Sequence, residues 1–347
     1  MWVRATRRTA AARRSIGLAL LAPIGTAAPA LAAPAPAPAA GVADASERAV
    51  VAGIERRAHP LRTTEPGGAS ADLAALSRMA KGATVVGLGE ATHRSKELFR
   101  LKERVFRHLV QRDGFRVFSL ETSWSAGARL DAYVTRGEGD LRQIMREEFQ
   151  FSFEDWNNEE FLALFTWMRE HNRTAAPGER VRVMGNDIAD VNRSQYDRVL
   201  RWAEEHRPAL APELRQRYAG LLALPASTGE RMKHLSEAPI AERKAYDRDA
   251  RAAYRALEQA GGVDPWVLQE ARVIAQMTAL FSYDFDDPKQ VAEHHRHRDR
   301  AMAEKTVWWQ RQTGDRILVS AHNAHLGYES SDPASYPVME GARSSGS

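Results

Sequence analysis

The chain has 347 residues, 44% of them hydrophobic and 27% charged, which suits a globular protein with a sizeable core. Part of its formal charge of +4 comes from Arg4, Arg7, Arg8, Arg13 and Arg14 at the extreme N-terminus, so the balance does not mark a nucleic-acid partner. The absence of cysteine excludes disulfides, thiolate nucleophiles and Cys-based zinc sites.

The first 32 residues have a basic head, an apolar middle beginning at Ile16 and an Ala30-Leu31-Ala32 sequence suited to signal peptidase, and predict a secretory signal. Pro23, Gly25 and Pro29 interrupt the apolar stretch before it reaches the ~20 residues that spanning a membrane requires. No stable membrane insertion is therefore expected once the signal is removed. The Arg7-Arg8 and Arg13-Arg14 pairs fit twin-arginine export loosely. Residues 33–41 follow as an extended Ala/Pro linker, and the mature domain is expected over 42–347.

Four short, branched apolar runs come next: "ATVVGLG" from Ala83, "FRVFSLE" from Phe115, "VRVMGND" from Val181 and "RILVSAHNAH" from Arg316. Nearly continuous runs of this length suit strands buried on both faces. Between them lie helical patterns, so the reading is α/β, a three-layer α/β/α fold with a mainly parallel sheet. In "ELFRLKERVFRHLV", Leu98, Leu101, Val105 and Leu109 fall at helical spacing, with Arg100, Glu103, Arg104 and Arg107 as the expected polar face. A second helix, "NEEFLALFTWMREHN", begins at Asn157 and Asn158, either of which suits a cap, and stops at "APG". From about 191 to 277 only helical patterns occur. This stretch predicts a helical insertion that either walls a cleft over the strand ends or packs as a layer.

Each predicted strand ends in polar residues on its carboxyl side: Glu90 with His93, then Glu121, then Asn186 with Asp187, then His322, Asn323 and His325. In doubly wound sheets these ends share one edge, where ligands bind. Taken singly, the residues have plainer readings. His93 suits the first turn of a helix and Glu90 the exposed amides of that turn. Glu121 follows Val117, Phe118 and Leu120, so its carboxylate needs a partner, structural or functional, to offset desolvation. Asn186 and Asp187 read as organisers of the turn after their strand. The cluster "EHHRHRDR" from Glu293 has metal-binding residue types but reads as a solvated helix face, Arg298 being the residue retained as a candidate. Trp124, Trp167, Trp308 and Trp309 read as packing; Trp156 and Asn323 are the candidates for touching substrate.

The blocks "GLGEATHRSKELFRLKERVFRHLV", "FSLETSW", "DWNNEEFLALFTWMREHN", "RDRAMAEKTVWW" and "SAHNAHLG", in this order, resemble the erythromycin esterase family from about Gly82 to Gly327. The resemblance implies the three-layer fold and hydrolysis of a macrolide lactone ester. It also implies that His93 is the general base for water, with Glu90, Glu121, His322 and His325 at other active-site positions. Lys102 matches a basic helix position, often Arg, and Arg298 lies in a matching "RD" block. Family members continue past the last of these blocks with further strands and helices, so this chain is expected to be truncated at its C-terminus.

The chemistry expected is hydrolysis of a carboxylic ester, with a small-molecule ester or macrolide as substrate, no cofactor and no inferable protein partner. Neutral imidazole, with an ordinary pKa of about 6.5, takes a proton near neutral pH, and a carboxylate stabilises the imidazolium that forms. His322, His325, Lys102 or Arg298 would stabilise the oxyanion. The chain has no Gly-x-Ser-x-Gly elbow. Two alternatives use the same residues. Carboxylates and imidazoles suit a metal-dependent hydrolase. A truncated relative would bind the ligand without turning it over.

Overall fold

The computed structural model describes residues 45–327, so the signal, the linker and the C-terminal end named above lie outside the described residues. The chain divides into two units, residues 1–62 and 63–347. In the first, helix α1 spans Ala45–Arg57. The second holds the sheet.

Four strands, β1 (Val85–Glu90), β2 (Phe115–Ser123), β3 (Arg182–Asp187) and β4 (Arg316–His322), form a wholly parallel sheet in the order β1-β4-β2-β3. Each falls on one of the four apolar runs. Parallel register pairs Glu90 with His322 and Ser123 with Asp187, so the carboxyl ends stand level at one edge. The fold is α/β, and the pairing alone brings together residues more than 230 positions apart.

Helix α2 (Ala74–Met79) precedes β1, and α3 (Lys96–Asp113) connects β1 to β2. Ser95 caps α3 by accepting from the Leu98 amide, and Gly114, at φ 71°, ends it in the left-handed conformation that a glycine adopts without strain. The expected polar face of α3 is corrected in part. Glu103 and Arg104 are buried, Glu103 paired with Arg107 and Arg104 Nη2 bonded to Asp72 (2.6 Å) and to the Ala69 carbonyl (3.1 Å). The segment ahead of β1 covers that side, and ion pairing makes the burial tolerable.

Between β2 and β3 come α4 (Trp124–Arg136), α5 (Leu141–Glu148), a 3₁₀ turn over Phe151–Trp156, and α6 (Glu159–Thr174), capped by Asn158. Phe106, Phe118 and Phe161 lock α3, β2 and α6 together through edge-to-face contacts, and Phe165 packs tilted on Phe161. Each such fully buried ring contributes about 2–3 kcal/mol by area removed from water. Helix α4 lies directly on β3 because Gly127 faces Gly185. A Cβ built on either would fall within 2.0 Å of opposing backbone.

No strand intervenes between β3 and β4. Helices α7 (Arg193–His206), α8 (Ala211–Leu222), α9 (Thr228–Glu237), α10 (Ile240–Ala260) and α11 (Pro265–Phe281) form the insertion, and α12 (Pro288–Thr313) leads back to β4. Arg231 of α9 clasps Asp190 just beyond β3 at 2.7 Å, both buried, and so ties the insertion to the sheet edge. The solvated face expected for "EHHRHRDR" is a second correction. His294, His295 and Asp299 are buried; His294 Nδ1 donates to the Leu280 carbonyl at 2.9 Å and His297 Nε2 to that of Gln276 at 3.0 Å. Burial pushes His294 down to about 3 and His295 to about 2, so these rings serve as neutral packing between α11 and α12. A short helix α13 (Asn323–Leu326) follows β4. Among the described residues no helix is long and apolar enough to cross a membrane.

Candidate active site

Strand β1 delivers Glu90, buried, and the turn after it carries His93, whose side chain is 10% exposed. His93 Nδ1 donates to Glu90 Oε1 at 2.7 Å, which leaves Nε2 as the lone-pair nitrogen. Lys102, one turn and a half into α3, places Nζ 3.1 Å from Glu90 Oε2, as an ion pair without an aligned hydrogen bond, and 3.5 Å from the Ala321 carbonyl. Burial lowers the Lys102 ammonium below its ordinary value, and Glu90 opposes that shift. One carboxylate is thus shared between an imidazole and a cation.

Strands β2 and β3 build the second half. Glu121 Oε2 accepts the His322 amide at 2.8 Å, while Oε1 faces Arg298 Nη2 and His325 Nε2, both at 3.1 Å. Burial alone would raise the Glu121 carboxyl; His325 and Arg298 outweigh it and hold the group well below the usual carboxylate range. Arg298 comes from α12 and also chelates Asp187 through Nε and Nη2. His325 Nδ1 donates to Asp299 Oδ1 at 2.6 Å. Its Nε2 lies 3.0 Å from Arg298 Nη1 and 3.1 Å from Glu121. A neutral ring would accept from the guanidinium, and a protonated one donates to Glu121. The second form prevails: burial and Arg298 push the ring down, but Glu121 and Asp299 push it up to about 9.

Two residues join the halves. The Trp156 ring stands edge-on to His93 with centroids 5.0 Å apart, and its Nε1 donates to the Glu121 carbonyl at 2.8 Å. His322 lies 5.2 Å from His93 ring to ring, but both its nitrogens serve the backbone: Nε2 donates to the Ala91 carbonyl (3.1 Å), and Nδ1 accepts the Ala324 amide (3.2 Å). Burial lowers the His322 imidazole, consistent with a neutral ring. Asn323 is exposed, and its amide oxygen occupies the space beside Gly89.

The structure therefore gathers Glu90, His93, Lys102, Glu121, Arg298 and His325 at one sheet edge, with His322 and Trp156 between them and Asn323 at the rim. Sequence reading passed over Asp187 and Asp299. Asp187 does organise its turn, accepting the amides of Ile188 and Ala189, yet it is also the principal partner of Arg298. The adjacent pair Arg298-Asp299 on a helix was the available signal for the other. Among the described residues no group of three or more His, Asp or Glu side chains is arranged to hold a metal ion, since the carboxylates face cations of the protein instead.

The family model for erythromycin esterase matches residues 110–343. Erythromycin esterase type II of Escherichia coli is 29% identical over 129 residues, 37% of this chain and 29% of that protein. The putative hydrolase YbfO of Bacillus subtilis is 26% identical over 141 residues, 41% of this chain and 29% of its own length. The alignments thus span less than a third of either relative. Among solved structures, a Bacillus cereus protein superposes with a TM-score of 0.74 at 29% identity, covering 86% of this chain and 70% of that one. A mutant of the erythromycin esterase EreC in its open conformation superposes with a TM-score of 0.60 at 17% identity, covering 76% and 66%, a likeness of fold.

Proposed function

From the premise that this chain belongs to the erythromycin esterase family, we propose that it hydrolyses a carboxylic ester with His93 as the general base, the lactone of a macrolide being the leading substrate. The observation that carries the reading is the 2.7 Å contact of His93 Nδ1 with Glu90 at the common strand edge, because it fixes the tautomer and leaves Nε2 with the lone pair a base needs.

Water held against Nε2 attacks the ester carbonyl carbon as the ring takes its proton. The carbonyl π electrons move to oxygen, and Lys102, Arg298 and protonated His325 supply positive charge for that oxyanion. On collapse the carbonyl re-forms, the bond to the alcohol oxygen breaks, and the His93 imidazolium returns its proton to the departing alkoxide. The ester becomes one carboxylic acid and one alcohol group, which for a lactone stay on the same ring-opened molecule. The two histidines are separated in role by their partners: His325 faces two carboxylates and is held as a cation, whereas the single carboxylate at His93 is shared with Lys102.

The test is incubation of the purified protein with erythromycin and with simple aryl esters, followed by mass spectrometry for the gain of one water and by release of the alcohol. Hydrolysis that disappears in His93→Asn supports the reading. Hydrolysis untouched by that change refutes it, and hydrolysis lost to a chelator and restored by added metal assigns the cluster to an ion instead. Export through the N-terminal leader belongs to the same proposal, and N-terminal sequencing of secreted protein tests it.

A further inference from the structure

Among the described residues only two that are not glycine adopt positive φ: Arg94 at 67° and Phe151 at 55°. Both conformations are disfavoured for side chains of that size. The two residues are far apart in sequence, yet each belongs to a segment closing on His93. Arg94 follows His93 directly. Phe151 opens the 3₁₀ turn that ends in Trp156, the ring packed on His93.

Arg94 also joins the two segments. Its Nε donates to Asp155 Oδ1 and its Nη2 to Glu154 Oε1, the latter at 2.5 Å. The Arg94 side chain is 63% exposed, and a pair between two such groups would contribute little. Asp155 is different, because its side chain is only 7% exposed and a covered carboxylate needs a cation. Arg94 is that cation, and it reaches Asp155 from a backbone conformation that glycine would adopt more readily.

We propose that Arg94 is a positioning residue, a latch that holds the Phe151–Trp156 turn as a strap over His93 and so restricts which esters reach Nε2. The strap is held at its C-terminal end by two neighbouring anchors, Arg94 on Asp155 and the Trp156 Nε1 bond to the Glu121 carbonyl. With both in place, His93 is almost fully covered. A bulky ester has to lift the turn, and the left-handed backbone at Arg94 and Phe151 gives the closed form something to relax when it does.

The inference rests on the reading of His93 as the reactive imidazole, but its test needs no ester. The full chain is treated with diethyl pyrocarbonate, and carbethoxylation of the His93 peptide is followed by mass spectrometry, which separates it from the other histidines. Arg94→Ala and Arg94→Gly are each expected to raise the His93 rate about tenfold at a temperature well below the melting transition, which itself falls because Asp155 loses its cation, and Arg94→Lys, which keeps the charge, to stay within about twofold of the parent. Asp155→Asn breaks the latch from the other side and should match Arg94→Ala; it carries the test if an Arg94 variant fails to fold. Rates equal to the parent in Arg94→Ala, Arg94→Gly and Asp155→Asn overturn the latch, whatever the esterase assay shows. A latch that holds in this assay while no ester is hydrolysed leaves the strap standing and removes only the proposed reaction.

Discussion

Replacing Glu121 by Gln tests how the buried charges of the site are held. The carboxylate accepts three donors, the His322 amide on one oxygen and Arg298 Nη2 with His325 Nε2 on the other. An amide satisfies one side only. Whichever way it is turned, its NH₂ meets a donor, and a buried unmade bond costs about 1–3 kcal/mol. The larger effect depends on pH. His325 is raised from 6.5 to about 9 in the folded protein, which at 1.36 kcal/mol per unit corresponds to about 3 kcal/mol of stability. Because the folded value lies above the unfolded one, that stability is fully present below pH 6.5 and is lost as pH rises through 9. Glu121 itself, with its folded value depressed, contributes above its unfolded value and loses that contribution only as pH falls well below 4.5. Both terms are therefore present between pH 5 and 6.5. Urea denaturation of the parent and of Glu121→Gln should show a gap of about 3–5 kcal/mol near pH 6 that narrows by roughly half or more near pH 9.5. A gap of constant size across this range would refute the assignment of His325 as a cation held by Glu121.

Other perturbations follow from the same geometry. Gly127→Ala drives a methyl group into the Gly185 backbone and Gly185→Ala one into the Ser123 carbonyl, each at about 2 Å, and each should cost about 3 kcal/mol or more in urea melts, because β3 has to separate from α4 or from the end of β2. Gly89→Ala meets only the amide oxygen of exposed Asn323, which can turn away, so a loss under about 1 kcal/mol is expected by the same measurement. Lys305, buried on α12 with no hydrogen bond to its ammonium, is lowered from 10.5 to about 7 by burial, against the pull of Asp187. Its folded value lies below the unfolded one, so its contribution to stability rises from pH 7 to pH 10 and opposes the loss through His325. Lys305→Met should flatten that rise and raise the melting temperature at pH 7; a lower melting temperature would show that the ammonium is needed to balance Asp187.

The strands were legible because parallel strands read as continuous apolar runs; β2, β3 and β4 are buried as expected, whereas β1 is an edge strand with Val85 and Gly87 exposed, so burial on both faces does not hold for it. Their shared carboxyl edge placed Glu90, His93, Glu121, His322 and His325 together before any coordinates. What the sequence could not display was which helix faces are covered. The charges of "ELFRLKERVFRHLV" and "EHHRHRDR" follow a pattern that reads as solvated, yet Glu103, Arg104, His294 and Asp299 are buried. A charge buried in an ion pair and a charge in water leave the same letter in the chain. Asp187 was hidden for a related reason, since its turn-forming bonds sufficed to explain it. Arg94 gave no signal at all, because a left-handed backbone at a residue other than glycine is set by tertiary contacts rather than by composition.

That ambiguity bears on why the site is built from so many charges. Four buried carboxylates, Glu90, Glu121, Asp187 and Asp299, stand near four cationic groups, Lys102, Arg298, His325 and Lys305. Burying any one without a partner would be prohibitive, so the cluster has to be close to neutral as a whole. Arg298 keeps its charge at every working pH, and His325 does so up to about 9. Burial lowers Lys305 to about 7, and its proton decides whether the cluster is balanced or one charge negative. Three α12 residues, at positions 298, 299 and 305, thus set the sum of charge around two carboxylates at the ends of β2 and β3. This is why a stretch that looks like an ordinary polar helix belongs to the chemistry of the sheet edge.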